Sequence, residues 1–332
     1  MKLAGKACLA LMAASALSCA GAASADCNLV ETAEFHVDPH SASPVVDGEI
    51  NGHPVRILFD TGSSTSIVPV AEARRLNLTM SRISGARMYG IGGDTAVYDT
   101  VVGELKIGTF KTNNLHLEAA GDEDAKSDVS MILGNDFFSR TDVEFDLREG
   151  LVRMFEPRDC TPPQLVYWNE AYSQATILPS ERDTPKTQTM TTVNGKPVLA
   201  EFDTGAYASA IDETAAALAG VTRPQGQAGP AVHGLGPQAE QSWLAHFDSL
   251  AVGDEKLSNI HLQVMDFTRG MTQTRTGMLL PYRLGSTPYL FIGADFFHAH
   301  RVFIDNKDHL ILFSYEGGPV FQAPEASASA SR

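Results

Sequence analysis

Positive charge is scarce in this chain. Its 332 residues carry 25 Lys and Arg against 40 Asp and Glu, a formal net charge of −15. That excludes nucleic acid and anionic membranes as main partners, because both are bound through an excess of basic side chains. Cysteine is scarcer still, at four residues, too few for a disulfide-dense scaffold. No apolar run reaches the ~18 residues of a membrane-spanning helix. A phosphate-binding Gly-rich loop, a Gly-x-Ser-x-Gly elbow and a Cys–His pairing are all missing. The groups His36 and His40, and His298, His300 and His309, have no Cys or carboxylate at zinc-ligand spacing. Neither a metal nor a cofactor is expected.

The first 25 residues read as an address. Lys2 and Lys6 precede the short apolar run Ala7 to Leu17, and Ala23-Ser24-Ala25 is a small-x-small cleavage site. These are the parts of a secretory signal peptide, so an exported protein, periplasmic or secreted, is expected. Cys19 raises a second possibility, cleavage before a lipidated cysteine, although Ala16 stands where such a site prefers Leu. The mature chain keeps Cys27 and Cys160. An even pair in an oxidising compartment is expected to form a disulfide.

What the chain does have is itself, twice. Ile50-Asn51-Gly52-His53-Pro54-Val55 is echoed by Val193-Asn194-Gly195-Lys196-Pro197-Val198, at an offset of 143 that holds through Phe59-Asp60-Thr61-Gly62 and Phe202-Asp203-Thr204-Gly205. Asn114-Leu115-His116-Leu117 matches Asn259-Ile260-His261-Leu262 at offset 145. Ile132-Leu133-Gly134 with Asp136-Phe137-Phe138 matches Phe291-Ile292-Gly293 with Asp295-Phe296-Phe297 at offset 159. The order is kept and the offset only grows, so the second copy carries an insertion of about 14 residues between Asp266 and Tyr289. His116 and His261 occupy equivalent places, which reads as a shared structural role on a strand.

Each copy reads as β structure. Pro54 to Phe59 is a short strand entering a Gly turn, and Val143–Asp146 with Leu151–Phe155 is a hairpin repeated by Val302–Asp305 with Leu310–Phe313. Short helices are predicted over Val70–Leu76 and Glu213–Ala219, and from Asn135 and Ala294. The predicted division is 1–25 signal peptide, 26–44 N-terminal segment, 45–157 first lobe, 158–184 Pro-containing linker, 185–316 second lobe and 317–332 disordered tail.

The chemistry rests on the two Asp-Thr-Gly sequences. One copy alone is an ordinary strand-to-turn junction. Two copies, at matched places in a duplicated unit, put Asp60 and Asp203 face to face on a pseudo-twofold axis. Carboxyls so held cannot both ionise and share one proton. The ionised one can deprotonate a water while the protonated one hydrogen-bonds the carbonyl under attack.

Here the chain resembles the aspartic peptidases. Phe59-Asp60-Thr61-Gly62-Ser63-Ser64 with Ile67-Val68-Pro69 is similar to the first catalytic motif of pepsin-like enzymes, and Asp203-Thr204-Gly205-Ala206 to the retroviral-protease form. The resemblance covers roughly Pro44 to Tyr315. It implies an all-β, bilobed, pseudo-twofold fold of two retropepsin-like β-barrel lobes with short helices, fused in one chain. It implies that Asp60 and Asp203 are the catalytic dyad, supported by Thr61, Gly62, Ser63, Thr204, Gly205 and Ala206. Thr61 and Thr204 would hydrogen-bond across the axis, Gly134 and Gly293 would pack beneath the loops, and the Ser63 hydroxyl would donate to Asp60.

Between each Asp and its distal Gly lies an expected substrate-binding flap. Tyr89-Gly90-Ile91-Gly92-Gly93 stands in the first copy and His233-Gly234-Leu235-Gly236 in the second. A Gly-apolar-Gly tip can flex and come close to a substrate backbone. Two tips resemble the two flaps of a retroviral dimer. No Lys-rich segment lies between Asp26 and Pro44 to plug an acidic cleft, so no pepsin-like zymogen step is expected. The expected function is an exported, monomeric aspartic endopeptidase acting on a peptide or protein substrate. The alternative is a non-catalytic peptide-binding protein that retains the fold.

Overall fold

Asn51-Gly52 and Asn194-Gly195, near the start of the two copies, all hold positive φ, at 51° and 79° and at 47° and 74°. Asn-Gly tolerates that backbone and closes two-residue hairpins whose twist suits the strands they join. The computed structural model describes residues 27–122, 128–180, 184–225, 229–268 and 289–321, and both turns sit where the repeat predicts. The expected signal peptide and the insertion of the second copy fall outside the described residues, apart from the insertion's edges.

In chain order, β1 (Asn28–His36) comes first. The first lobe holds β2 (Val45–Ile50), β3 (His53–Phe59), β4 (Ile67–Pro69), α1 (Val70–Arg75), β5 (Met80–Gly90), β6 (Gly93–Ile107), β7 (Phe110–Ala120), β8 (Met131–Leu133) and α2 (Asn135–Phe138). The hairpin of β9 (Asp142–Asp146) and β10 (Leu151–Arg158) leads to α3 (Pro162–Leu165) and β11 (Ser173–Thr176). The second lobe holds β12 (Gln188–Val193), β13 (Lys196–Phe202), β14 (Ala210–Asp212), α4 (Glu213–Leu218), β15 (Ala231–Val232), β16 (Glu240–Gln241), β17 (Trp243–Val252), β18 (Glu255–Met265), β19 (Leu290–Ile292) and α5 (Ala294–Ala299). A last hairpin, β20 (His300–Asp305) and β21 (Leu310–Tyr315), completes the described chain.

The second lobe is a closed barrel in the order β12-β13-β19-β14-β18-β17. The first lobe closes in the matching order, β2-β3-β8-β4-β7-β6, through the β2–β6 pairing, with β5 added outside on β6. Alternation builds each interior. Trp243, Ala245 and Phe247 are buried while His246 and Asp248 face outward, so β17 turns one face to the core. Ile57, Phe59 and Val102 fill the first barrel, and Phe202, Phe247 and Leu262 the second, all fully buried.

The expected N-terminal segment and linker are more structured than their sequence suggests. A six-stranded sheet runs β1-β10-β9-β20-β21-β11. Strand β1 comes from the N-terminal segment, β11 from the expected linker, and the two hairpins from the ends of the two copies. Each hairpin alone would leave an unpaired edge, and joining them satisfies those backbone groups. The lobes therefore meet in a shared ladder, with Val302 opposite Phe145 and Ile304 opposite Val143. Within it the buried Glu144 accepts from Arg153 at 2.6 Å and Arg301 at 2.9 Å, and the Arg301 guanidinium lies 4.5 Å from the Trp168 ring.

The expected tail also starts too early in the sequence reading. Phe321 is 2% exposed, stacks on Phe296 at 5.9 Å, and its carbonyl accepts from the His261 N–H at 2.6 Å. The aromatic ring anchors the chain after Gly317-Gly318; residues beyond 321 lie outside the described ones.

Cys27 and Cys160 form the expected disulfide, across a sequence separation of 133. It pins the start of β1, where Asn28 pairs with Arg158. Replacing both cysteines by Ser should lower unfolding stability by about 4–5 kcal/mol, because a crosslink over so long a loop restricts the unfolded chain strongly. Urea unfolding of the double variant beside wild type measures this, and an unchanged midpoint at an unchanged slope would reject it.

Candidate active site

Both Asp-Thr-Gly loops leave a central strand in the same way. Asp60 follows β3, and its N–H donates to the Leu133 carbonyl at 2.9 Å. Asp203 follows β13 and donates to the Ile292 carbonyl at 2.9 Å. Strands β8 and β19 thus hold the loops from beneath. Gly134 and Gly293 come next, as the resemblance implies. A Cβ at Gly134 would stand 2.6 Å from the Ser63 carbonyl oxygen, and one at Gly293 2.8 Å from that of Ala206. Neither position has room for a side chain.

The loops are tied across the axis. The Thr61 N–H donates to Thr204 Oγ1 and the Thr204 N–H to Thr61 Oγ1, both at 3.1 Å. The Thr61 hydroxyl donates to the Phe202 carbonyl and the Thr204 hydroxyl to the Phe59 carbonyl, both at 2.7 Å. Both threonines are fully buried, so this four-bond link is shielded from competing water. Its effect is to set the two carboxyls against each other. Methyl groups built at Gly62 and Gly205 would collide with the carboxyls of Asp203 and Asp60 respectively. Only glycine allows this approach.

Each carboxyl receives the same backbone cradle. Asp60 Oδ1 accepts from the N–H groups of Gly62 at 2.9 Å and Ser63 at 3.0 Å. Asp203 Oδ1 accepts from Gly205 at 2.9 Å and Ala206 at 3.0 Å. The Ser63 hydroxyl does not serve Asp60, contrary to expectation. It donates to the Thr65 carbonyl at 2.8 Å, because its rotamer satisfies the loop instead. The difference between Ser63 and Ala206 therefore does not distinguish the two carboxyls.

Their protonation differs all the same. Loss of hydration raises the Asp60 carboxyl above the usual range, against the bond shared with Asp203 and the cradle, which pull it down. Loss of hydration, followed by the charge of Asp60, raises Asp203 well above that range. Two carboxyls in contact hold one proton between them, and the pair titrates as a unit, with the stronger upward shift on Asp203.

Four supporting residues escape sequence reasoning. Ser66 Oγ donates to Asp136 Oδ1 at 2.6 Å and accepts from the Gly134 N–H at 3.0 Å. Ser209 repeats this with Asp295 at 2.7 Å and Gly293 at 2.8 Å. These pairs brace the first Asp-Thr-Gly loop against α2 and the second against α5. Their signal was present: the serines obey the offset of 143 and the aspartates that of 159. One further residue breaks the symmetry. Asn135, matched by Ala294, donates from Nδ2 to the Thr61 carbonyl at 2.6 Å and lies 3.3 Å from Thr187 Oγ1.

The two predicted flap tips come together. In the first, β5 and β6 join through Ile91-Gly92, with Gly90 opposite Gly93. In the second, the much shorter β15 and β16 carry His233 to Gly236 between them. The Gly236 N–H donates to the Ile91 carbonyl at 2.9 Å and the Gln238 N–H to the Gly92 carbonyl at 3.1 Å. Gly92 has φ +85°, and a Cβ on Gly90 would stand 2.9 Å from that of Leu235. The Ile91 side chain reaches across to the apolar cluster of Ala210, Met265 and Phe267 in the second lobe, which Val232 and Phe291 also join. Tyr89 stands on the strand behind this tip, opposite Asp94.

Comparison with known families gives one result for each copy. Residues 46–140 match the family model described as "gag-polyprotein putative aspartyl protease". Residues 189–296 match the model described as "Aspartyl protease". Among curated proteins nothing matches the chain.

Proposed function

From a chain that carries two consecutive aspartyl-protease domains, two retropepsin-like repeats in one polypeptide, we propose a single-chain aspartic endopeptidase with Asp60 and Asp203 as its catalytic dyad. The observation that carries the reading is the carboxyl pair itself, crossed over two glycines and held by the buried threonine link. The substrate is an extended peptide segment laid as a strand between the lobes, where backbone hydrogen bonds supply affinity. Tyr89, Gly90, Ile91 and Gly92 from one side and Gly234, Leu235 and Gly236 from the other are the flaps that part to admit it. Their closure afterwards excludes bulk water.

The direction of the carboxyl shifts supports a division of roles. Asp60, ionised, takes a proton from water as the water oxygen adds to the scissile carbonyl carbon. Asp203 gives its proton to the carbonyl oxygen, so a neutral diol forms. Asp60 then passes its proton to the amide nitrogen. As the C–N bond breaks, a diol hydroxyl returns a proton to Asp203 and the carbonyl reforms. One water is consumed and the dyad is restored.

Export suits the same reading. The leader expected from the sequence and the disulfide, a bond that persists in oxidising compartments, both support a periplasmic or secreted enzyme. Among the described residues no helix is long and apolar enough to cross a membrane.

The test is incubation of the purified mature protein with a peptide library over a range of pH. Cleavage of internal peptide bonds is expected, and its absence with peptide binding retained would favour the non-catalytic alternative. Because both Asp-Thr-Gly loops lie in one chain, specific activity should stay constant on dilution to nanomolar enzyme. A loss on dilution that concentration restores would show that two chains are required.

A further inference from the structure

Strand β13 carries a charged residue where its counterpart in the first lobe does not. Glu201 lies two residues before Asp203 and is 2% exposed. It stands opposite Gln188 on β12, whose Nε2 donates to Glu201 Oε2 at 2.9 Å. Its other oxygen, Oε1, is buried and has no hydrogen-bond partner among the described residues. The equivalent pair in the first lobe is Val45 opposite Leu58, each 143 positions earlier. The barrel therefore closes equally well on an apolar pair. A buried carboxyl with half its acceptor capacity unused costs stability, and the first lobe shows that the fold does not require it.

What Glu201 does have is position. The charged groups that act on it are Asp60 and Lys186, and it acts in turn on Asp203. Beside it in register on β19 is the apolar Phe291, which offers no competing charge. We propose that Glu201 is a positioning residue for the carboxyl pair: its negative charge, buried on the strand that carries Asp203 and two residues before it, opposes a second charge on the pair and so holds the shared proton in place. This rests on the peptidase reading of the same site. Burial pushes the Glu201 carboxyl to about 7, against the opposing pull of Lys186 and Gln188. Its charge therefore develops near neutrality. By disfavouring a second charge on the pair, it carries the singly protonated state to higher pH.

Two variants test this. Glu201→Gln keeps the shape and removes the charge. The double variant Gln188→Val, Glu201→Leu installs the apolar pair of the first lobe and keeps the test open if the single variant folds poorly. In both, the alkaline limb of the kcat/KM profile should move down by about one pH unit, and at a pH above that limb activity should fall about tenfold. The same shift should appear in the upper apparent titration of the pair, read by carboxyl-carbon NMR on aspartate-labelled protein without substrate. Profiles and titrations that superimpose on wild type in both variants would overturn the assignment. The NMR measurement separates the two ideas. A protein that cleaves nothing, yet whose pair titrates lower in the variants, would retain the role of Glu201 and refute the peptidase reading.

Discussion

Asp60→Asn and Asp203→Asn will each reduce peptide hydrolysis by on the order of 10⁴-fold or more, with the fold unchanged. In the proposed mechanism the two carboxyls act as one unit: without Asp60 no group takes the proton from water, and without Asp203 none protonates the carbonyl oxygen, so either loss stops the same step. The double variant should consequently be scarcely worse than either single one. Asn fills the same space and can still accept from the backbone cradle of Gly62 and Ser63 or of Gly205 and Ala206. Circular dichroism and the urea midpoint should therefore stay near wild type. Single-turnover assays with a cleaved library peptide make the comparison. Substantial turnover by either variant would end the dyad assignment.

A peptide whose scissile carbonyl is replaced by a secondary hydroxyl will bind about 10³-fold more tightly than the parent peptide. The hydroxyl takes the place of the attacking water between the carboxyls and resembles the diol rather than the planar amide. The gain depends on one carboxyl accepting while the other donates, so it should follow the singly protonated state of the pair across pH. It should also shrink sharply in Asp60→Asn, whose amide cannot accept in the way the ionised carboxyl does. The flap tips, joined at Ile91 with Gly236 and at Gly92 with Gln238, must separate first. Binding should accordingly be slow in onset. Equilibrium titration and stopped-flow association provide both readouts, and equal affinity for the analogue and the parent peptide would exclude the mechanism.

Much of the site was legible because duplication writes each functional feature twice. Asp60 with Asp203, Thr61 with Thr204 and Gly134 with Gly293 stand at matched positions, and a motif too common to mean anything once is informative when an ordered repeat recovers it. The hairpins at 143–155 and 302–313 were legible for a local reason, since strand, turn and strand are contiguous. Glu201 was harder. Its signal was a carboxylate where the first copy has Leu58, but only the structure shows that it is buried on the strand leading into Asp203. The Ser63 hydroxyl misled, because the choice between Asp60 and the Thr65 carbonyl is a rotamer choice that composition does not record.

The chain's own order of residues was enough to establish two copies of a β unit, each ending a strand in Asp-Thr-Gly, and a cysteine pair able to bridge. Those follow from periodicity, turn chemistry and repetition, which act over a few residues. The tertiary structure alone decided the rest. It joined β1 and β11 to both terminal hairpins in one sheet between the lobes, drew Phe321 into the core and brought the flap tips into contact. Each of these depends on edges, cavities and charges contributed by segments more than a hundred residues apart in several cases. Such partners meet only when burial of the two barrels brings them together, and no local pattern encodes which edge or which charge will be waiting.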